Sequence, residues 1–554
     1  MSKYFTTRDK VFLLNAVTFA FVIILTILLY RLLKYHISLI MYPHQLELRE
    51  GGMVLSTDLI LRGGNPYDFA NQPMYMNVYG IMYNYAVIPF YKLFAAIGVH
   101  RDKLLLLAHR FTTGVFIFLS CLIVVLIMIR LKIKLLYIFG ALIIQYVSLI
   151  YSMTSLSRPD SLGMFLFLLS IYIPWRCTYS TKSLVLSVFI GILSFYTKVY
   201  FVLGVLIIIS YVFFYISKEK GVKCLLLFFI TLLLSAIFVN KYYESYFYDC
   251  LFLQININSY RLNYALLQLR HFSNHSAGLV LFLLLMVILN FKINSNKIMS
   301  YYRDIKINIK TIKEPFFSKE MPLFAYCALT SLAVLVFKLG GSDGAWMTYF
   351  FQLFLPFFLI FTLTLTINNS KLKTTALLLL FLSVYTSYCY CMYIYMTSHA
   401  YILSFDISAI FRSEAIEKQW KLYNALIHES ENVLVAAPFS ISAISSGKTV
   451  YDSGFTYYRD SIMPNNPTMK KLFPQDFHSL NEKFLDYIDN QISEKKFDLI
   501  ILYKSKVSDG KDKLNSFVKN KKNLDLNYEV SVYADLLLQH INQKSEFVIY
   551  HPRR

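Results

Sequence analysis

The 554-residue sequence is short of cysteine, short of acid and without any nucleotide-binding signature. Its seven cysteines form no Cys-x-x-Cys pair, and most lie in or beside apolar runs, so neither a zinc site nor a redox motif is expected. None follows Cys391, which leaves the polar C-terminal region without a disulfide framework. The chain has no P-loop, no dinucleotide-binding glycine fingerprint and no His-Glu-x-x-His, so nucleotide-dependent chemistry has no support. Charge is nearly absent from the middle of the long apolar runs, which argues against an ion-coupled transporter that would bury such groups there. Acidic residues number 33 against 54 Lys and Arg, a net charge of +21. Most of that excess sits in short loops between apolar runs, a pattern that reports membrane orientation, and no nucleic-acid partner is expected.

What the sequence does have is apolar length. Hydrophobic residues make up 56% and aromatics 17%, and the mean hydropathy is +0.50. These values exceed those of soluble domains, so the expected fold class is mainly α, a polytopic membrane protein. Val11 to Tyr30 is too long for the apolar region of a signal peptide, and no small-residue cleavage site follows it, so it is expected to remain as a span. Further spanning runs are 104–129, 135–153, 161–175, 183–197, 199–216, 224–240, 277–291, 321–339, 347–367 and 374–397, which makes about eleven helices. With that count, the basic clusters at Lys3/Arg8/Lys10, Arg130/Lys132/Lys134, Arg176/Lys182, Lys218/Lys220/Lys223, 292–319 and Lys371/Lys373 all share one side, the cytoplasmic one. Arg31 and Lys34 run against the pattern. The Tyr-rich stretch 80–98, broken by Asn84, Pro89 and Lys92, reads as an interfacial helix, because a span there would invert every later loop. The first outer loop then runs over 31–103 and the transmembrane domain over 1–397. Residues 398–554 differ in kind. Strand-like 432–436 and 497–502 and amphipathic 407–428 and 478–494 predict a small extracytoplasmic α/β domain.

Four stretches carry ionisable groups beside the outer ends of spans. The first is Leu46-Glu47-Leu48-Arg49-Glu50-Gly51-Gly52, with His44, Asp58 and Arg62 nearby. Glu47 or Glu50 is either a solvated loop charge or a general base on an acceptor hydroxyl, and the glycines allow close backbone approach. The second is Ser157-Arg158-Pro159-Asp160, where Asp160 is either a helix cap or a catalytic acid and Arg158 suits a phosphate. The third, Tyr196-Thr197-Lys198, holds a lysine that either snorkels or meets a lipid phosphate. The fourth is Lys338 before Gly340-Gly341-Ser342-Asp343-Gly344, either a plain inter-helix turn or an anion-binding one. The loop 241–276 adds Arg261, Arg270 and His271 among Tyr and Asn, a candidate sugar-contacting surface.

At these residues the chain resembles the GT-C membrane glycosyltransferases, in particular the protein O-mannosyltransferase and lipid A aminoarabinose transferase branch. The similar features are Glu47-Leu48-Arg49-Glu50-Gly51, then Gly64-Asn65-Pro66-Tyr67, the stretch 79–98 with Tyr79, Arg158-Pro159-Asp160, Thr197-Lys198, and Lys338 with its glycine turn, over roughly residues 1–400. The resemblance implies a polyprenyl-phosphate-linked sugar as donor and inverting transfer to a hydroxyl of a surface glycan, lipid or protein on the outer face of a bacterial inner membrane. It also implies Glu50, Glu47 and Asp160 as catalytic acids, and Arg158, Lys198 and Lys338 at the donor phosphate. His44, Arg62, Tyr67, Tyr79, Arg261, Arg270 and His271 are then candidate substrate contacts. Arg49 stands where the branch has its usual aspartate, which makes Glu47 the rival of Glu50 as base. No cofactor is expected. A divalent metal at Glu47, Glu50 or Asp160 is the variant of that expectation. A flippase of lipid-linked glycan and a polysaccharide polymerase are the alternative functions.

Overall fold

The computed structural model describes residues 7–47, 49–72, 74–151, 153–252, 260–285, 322–342, 349–367, 373–397, 414–452, 454, 477–504, 518–531 and 547–553. The described helices up to residue 397 include α1 (Thr7–Met41), α2 (Glu50–Leu61), α3 (Met82–Ala96), α4 (Arg101–Arg130), α5 (Leu135–Ile150), α6 (Asp160–Arg176), α7 (Thr181–Phe195), α8 (Leu203–Tyr211), α9 (Lys218–Tyr242), α10 (Leu262–His275), α11 (Leu323–Val334), α12 (Leu355–Ile367) and α13 (Lys373–Thr397), with a further helical stretch over 277–285. Four more, α14 (Glu414–Glu429), α15 (Ser440–Ser445), α16 (Phe477–Ser493) and α17 (Lys521–Asn527), accompany strands β1 (Val433–Val435), β2 (Leu499–Tyr503), β3 (Tyr528–Val530) and β4 (Phe547–Pro552).

Among the described residues five helical stretches are long and apolar enough to cross a bilayer: Asn15–Met41, Arg101–Arg130, Val199–Ile216, Lys218–Tyr242 and Thr375–Met392. Shorter apolar helices cover Leu135–Ile150, Thr181–Phe195, Leu323–Leu339 and Phe350–Thr364. The chain is thus a mainly helical membrane protein with a small sheet. In α9, Leu226, Phe229, Ile230, Leu233, Leu234 and Ile237 are all more than half exposed. An apolar face of that extent is stable against lipid and not against water. The expected span 277–291 runs past residue 285 and lies partly outside the described residues, and the basic loop 292–319 lies wholly outside them.

Two boundaries differ from expectation. The first helix runs on from Tyr30 to Met41, 35 residues in all, which at 1.5 Å per residue is roughly 50 Å against a hydrocarbon core of about 30 Å. Arg31 and Lys34 therefore lie on a helix and not in a loop, and the connection that carries Glu47 begins at Tyr42. The stretch 80–98 is a 15-residue helix, α3, shorter than a span. It packs on α4 and α2 and buries Tyr83, Asn84 and Val87.

The bundle core is built where α4 packs on α5 and α6, α6 on α7 and α8, and α5 on α13. The sheet has the order β1-β2-β4-β3, with β1 parallel to β2 and the other pairs antiparallel. Successive strand residues point to opposite faces, and both faces are covered. Val433, Val435, Leu499, Ile501, Phe547 and Ile549 face a cluster with Trp420, Tyr423 and Phe439. Leu434, Ile500, Leu502 and Tyr550 face Phe484, Ile488 and Ile492 of α16. The first cluster also contains Leu39, Tyr42, Leu46, Val54, Leu55 and Leu106. The sheet and its helices are thereby packed onto the end of α1, the loop after it, α2 and the start of α4.

Gly51 shows how close that packing is. Glycine inside a helix costs about 1 kcal/mol relative to alanine, yet a Cβ at Gly51 would lie 2.7 Å from Ser440 Cβ of α15. The close approach of α15 to α2 requires its absence.

Candidate active site

The ends of α1, α5 and α7 and the starts of α2, α4 and α6 come together at one end of the bundle, because consecutive helices run in alternate directions. Two carboxylate centres are found there.

The first is Glu50, at the start of α2. Its side chain and that of Arg110, two turns into α4, are both fully buried. Arg110 Nε donates to Glu50 Oε1 at 3.0 Å and Nη2 to Oε2 at 2.9 Å, a bidentate pair. The backbone N–H of Leu46 donates to Oε2 at 2.8 Å and that of Glu47 at 3.3 Å. From the other side Ser157 donates to Oε1 through its N–H at 3.1 Å and its hydroxyl at 3.0 Å. Arg110 also donates to the carbonyls of Leu39, Tyr42 and His44, the last at 2.8 Å. Burial alone would push the Glu50 carboxyl up. The charge of Arg110, with the amides of Leu46 and Ser157, outweighs it and holds the group below the ordinary carboxylate range. Glu50 thus ties the loop after α1 to the turn before α6.

That turn carries the second centre. Pro159 has φ −71° and starts α6, the pre-set angle that makes proline suited to a helix start. Asp160 follows as the first helical residue, and its carboxylate accepts from Lys198 Nζ at 2.8 Å and Tyr200 OH at 2.9 Å, not from the helix's own amides. Arg158 Nε lies 3.5 Å from Asp160 Oδ2, and Arg158 Nη1 lies 3.5 Å from Glu47 Oε2. Arg158 Nη2 donates to Tyr79 OH at 2.6 Å. Glu47 also accepts the N–H of Arg49 at 3.0 Å. Lys198 reaches this place because α7 ends at Phe195 and the backbone is extended at Lys198 before a 3₁₀ turn restarts the helix. Its ammonium lies 5.0 Å from the Tyr79 and Tyr200 ring centroids and 5.8 Å from Tyr349, inside the range of cation–π attraction. Lys198 is 14% exposed, against 4% for Asp160 and 6% for Arg158 and Glu47, so it is the most accessible member.

Backbone contacts fix the two tyrosine-bearing segments against each other. The N–H groups of Gly80 and Met82 donate to the carbonyls of Thr197 and Tyr196, each at 3.2 Å. A Cβ on Gly80 would fall 2.0 Å from the Tyr196 carbonyl oxygen. No residue but glycine fits between Tyr79 and the turn that presents Lys198.

The sequence-stretch candidates therefore divide. Glu47, Arg158, Asp160, Lys198 and Tyr79 meet. Tyr67 is buried and supports Tyr79 by donating its hydroxyl to the Tyr79 carbonyl. His44 faces the other way. Its ring stacks on Trp420 of α14 at 4.8 Å and 5°, and Nε2 lies 3.4 Å from Glu417. Burial pushes its imidazole down to about 4 against the pull of Glu417. His44 is a contact between the loop and the C-terminal helices. Arg62 is exposed and pairs with Asp58 at 2.9 Å, one turn back on its own helix. Arg261 and Arg270 are exposed on and beside α10, and His271 meets Tyr390 of α13. Lys338 is exposed and has no ion pair among the described residues. The turn after it, 343–348, lies outside them. None of these last five touches the Asp160 centre among the described residues.

Arg110, Tyr200 and Tyr349 are members that sequence reading passed over. Tyr200 OH also lies 3.3 Å from Gln352 Oε1, and Gln352 donates in turn to Thr154. Among the described residues no group of three His, Cys, Asp or Glu is placed to hold a metal. Glu47 and Asp160 are the carboxylates that face each other, across the guanidinium of Arg158.

Comparison of the chain with protein-family models, with curated proteins and with solved structures gave no match.

Proposed function

We propose that the chain is a glycosyltransferase that moves a sugar from a polyprenyl-phosphate-linked donor to a hydroxyl of a surface glycan, lipid or protein, with inversion. The observation that carries this reading is the convergence of Glu47, Tyr79, Arg158, Asp160 and Lys198, from four separate stretches, at one end of a helical membrane bundle. Inverting transfer needs a base for the acceptor proton and cations for the departing phosphate. Asp160 is the proton acceptor on this reading. Arg158 and Lys198 neutralise the phosphate, and Glu47 orients Arg158. Glu50 is a positioning residue, since Arg110 and the amides around it occupy both its oxygens. The isoprenoid tail lies in the apolar surface between helices, and the site opens on the outer face of a bacterial inner membrane. Eleven spans with a cytoplasmic N-terminus put the sheet and its helices on that same face, over the acceptor side.

The test is transfer of radiolabelled sugar from a panel of polyprenyl-phosphate sugars by purified protein in detergent. Asp160→Asn is expected to lower turnover by about 10²–10⁴-fold with folding intact, the range lost with a general base. Glu47→Gln is expected to lose less. Absence of turnover with every donor, beside retained binding of a lipid-linked sugar, would sink the enzyme and favour a flippase.

A further inference from the structure

A carboxylate clamped by two cations is a poor proton acceptor, because both stabilise its charged form. Asp160 is clamped in this way, by Lys198 at 2.8 Å and Arg158 at 3.5 Å. The same two cations are those a phosphate would need. Among the described residues Glu47 and Asp160 balance Arg158 and Lys198 charge for charge, so an anion that binds these cations competes with the carboxylates already paired to them.

We propose that Asp160 is an internal competitor of the donor phosphate: the phosphoryl group displaces the carboxylate from Lys198 and Arg158, and the released carboxylate then takes the acceptor proton. This rests on the donor reading of the site given above. Three features besides the charge balance favour it. Lys198 is the most exposed of the four charged members, so an incoming anion meets it before Arg158. Its ammonium is held by the faces of Tyr79, Tyr200 and Tyr349, which keep the cation in place when its carboxylate leaves. Among the described residues no group donates a hydrogen bond to the buried Oδ2 of Asp160, which has only the 3.5 Å pairing with Arg158, so both hydrogen bonds fall on Oδ1 and the carboxylate can pivot about it.

In the step that follows, the acceptor O–H bond breaks and its proton goes to Asp160. The acceptor oxygen bonds to the anomeric carbon as the bond from that carbon to the phosphate oxygen breaks, and the bonding pair leaves with the polyprenyl phosphate, neutralised by Lys198 and Arg158. Product release admits water, to which Asp160 gives up the proton as it returns, as a carboxylate, to Lys198 and Arg158. A free base in the unloaded site would take a proton from water. Coupling its release to donor binding prevents that.

The experiment titrates a polyprenyl monophosphate into the full chain in lipid nanodiscs and reads affinity, sugar transfer and melting temperature. Asp160→Asn removes the competitor's charge and is expected to bind the monophosphate about tenfold tighter or more, while transfer is lost. Tyr200→Phe removes one hydrogen bond to the carboxylate and no charge, and is expected to tighten binding by about twofold to fivefold. Lys198→Gln is expected to lose the binding. Unchanged or weaker binding in Asp160→Asn at an unchanged melting temperature overturns the proposal and makes Asp160 a fixed brace for Lys198. Should Asp160→Asn melt early, weaker binding in Tyr200→Phe overturns it alone. Tighter binding by both variants, with no sugar transfer from any donor by the wild type, supports the displacement and refutes the donor reading, so the two failures separate.

Discussion

Glu50 and Asp160 are both buried carboxylates paired with cations, only a short distance apart along the turn Ser157–Asp160, yet they are held in opposite ways. Glu50 receives six donor atoms, from Leu46, Glu47, Arg110 and Ser157, and both its oxygens are filled. Among the described residues Asp160 receives two, both on one oxygen, and its other oxygen has only the longer pairing with Arg158. A buried polar group with every bond made is a structural part, whereas one left short of partners stores an unmet demand that a ligand can fill. On the proposed reading the base is therefore Asp160, whose surroundings are incomplete, and not Glu50.

Four expectations test that contrast. The largest effect belongs to Arg110. Arg110→Met leaves Glu50 as an unpaired buried charge and is expected to destabilise the fold by about 3–5 kcal/mol, read as a fall in melting temperature. The double variant Arg110→Met/Glu50→Leu should recover most of it. A single variant that melts like wild type would show that Glu50 is not a brace. Next, Gly80→Val drives a side chain into the Tyr196 carbonyl and displaces the Lys198 turn. Transfer activity should fall by roughly tenfold or more, since a misplacement of about 1 Å can cost a hundredfold. Activity near wild type would show that the Tyr79–Lys198 geometry is dispensable.

Gly51→Val tests the contact with α15 and should cost about 1–3 kcal/mol by overpacking. Faster hydrogen exchange along α14 and α15 checks it, and unchanged protection there would refute the docking. The smallest effect is that of pH at His44. Its ordinary value is 6.5 and its buried value about 4, so the undocked state binds more protons between the two. Docking stability is therefore full above pH 6.5 and declines as pH falls toward 4. Glu417, Arg110, Lys103 and Tyr42 face or influence the ring. Trp420 fluorescence should change over this window in the wild type and not in His44→Phe.

Much of the site was legible because its members are polar groups stranded beside apolar runs. Glu47, Arg158, Asp160 and Lys198 each stand where a span ends, and a charge there asks for a partner. Arg110 had a signal that went unused: it is a lone cation within the apolar run 104–129, and such a charge is paired by default. Tyr200 and Tyr349 had none, since 44 tyrosines offer no way to choose among them. His44 and Arg62 are near the acidic stretch in sequence and His271 lies in the Tyr- and Asn-rich loop 241–276, yet their partners among the described residues are Trp420, Asp58 and Tyr390. The strands expected at 432–436 and 497–502 are observed as Val433–Val435 and Leu499–Tyr503, because a short apolar run between polar turns has few other places to bury itself.

By itself the sequence determined that the chain is helical and lives in a membrane, and where most helices end. Hydrophobic length and charge in loops are local properties, and the bilayer reads them residue by residue. Only the tertiary structure decided which acid is satisfied and which is not. That depends on donors brought from Leu46, Arg110 and Ser157 to Glu50, and from Lys198 and Tyr200 to Asp160, and no local spacing encodes how many donors a carboxylate meets once the helices pack.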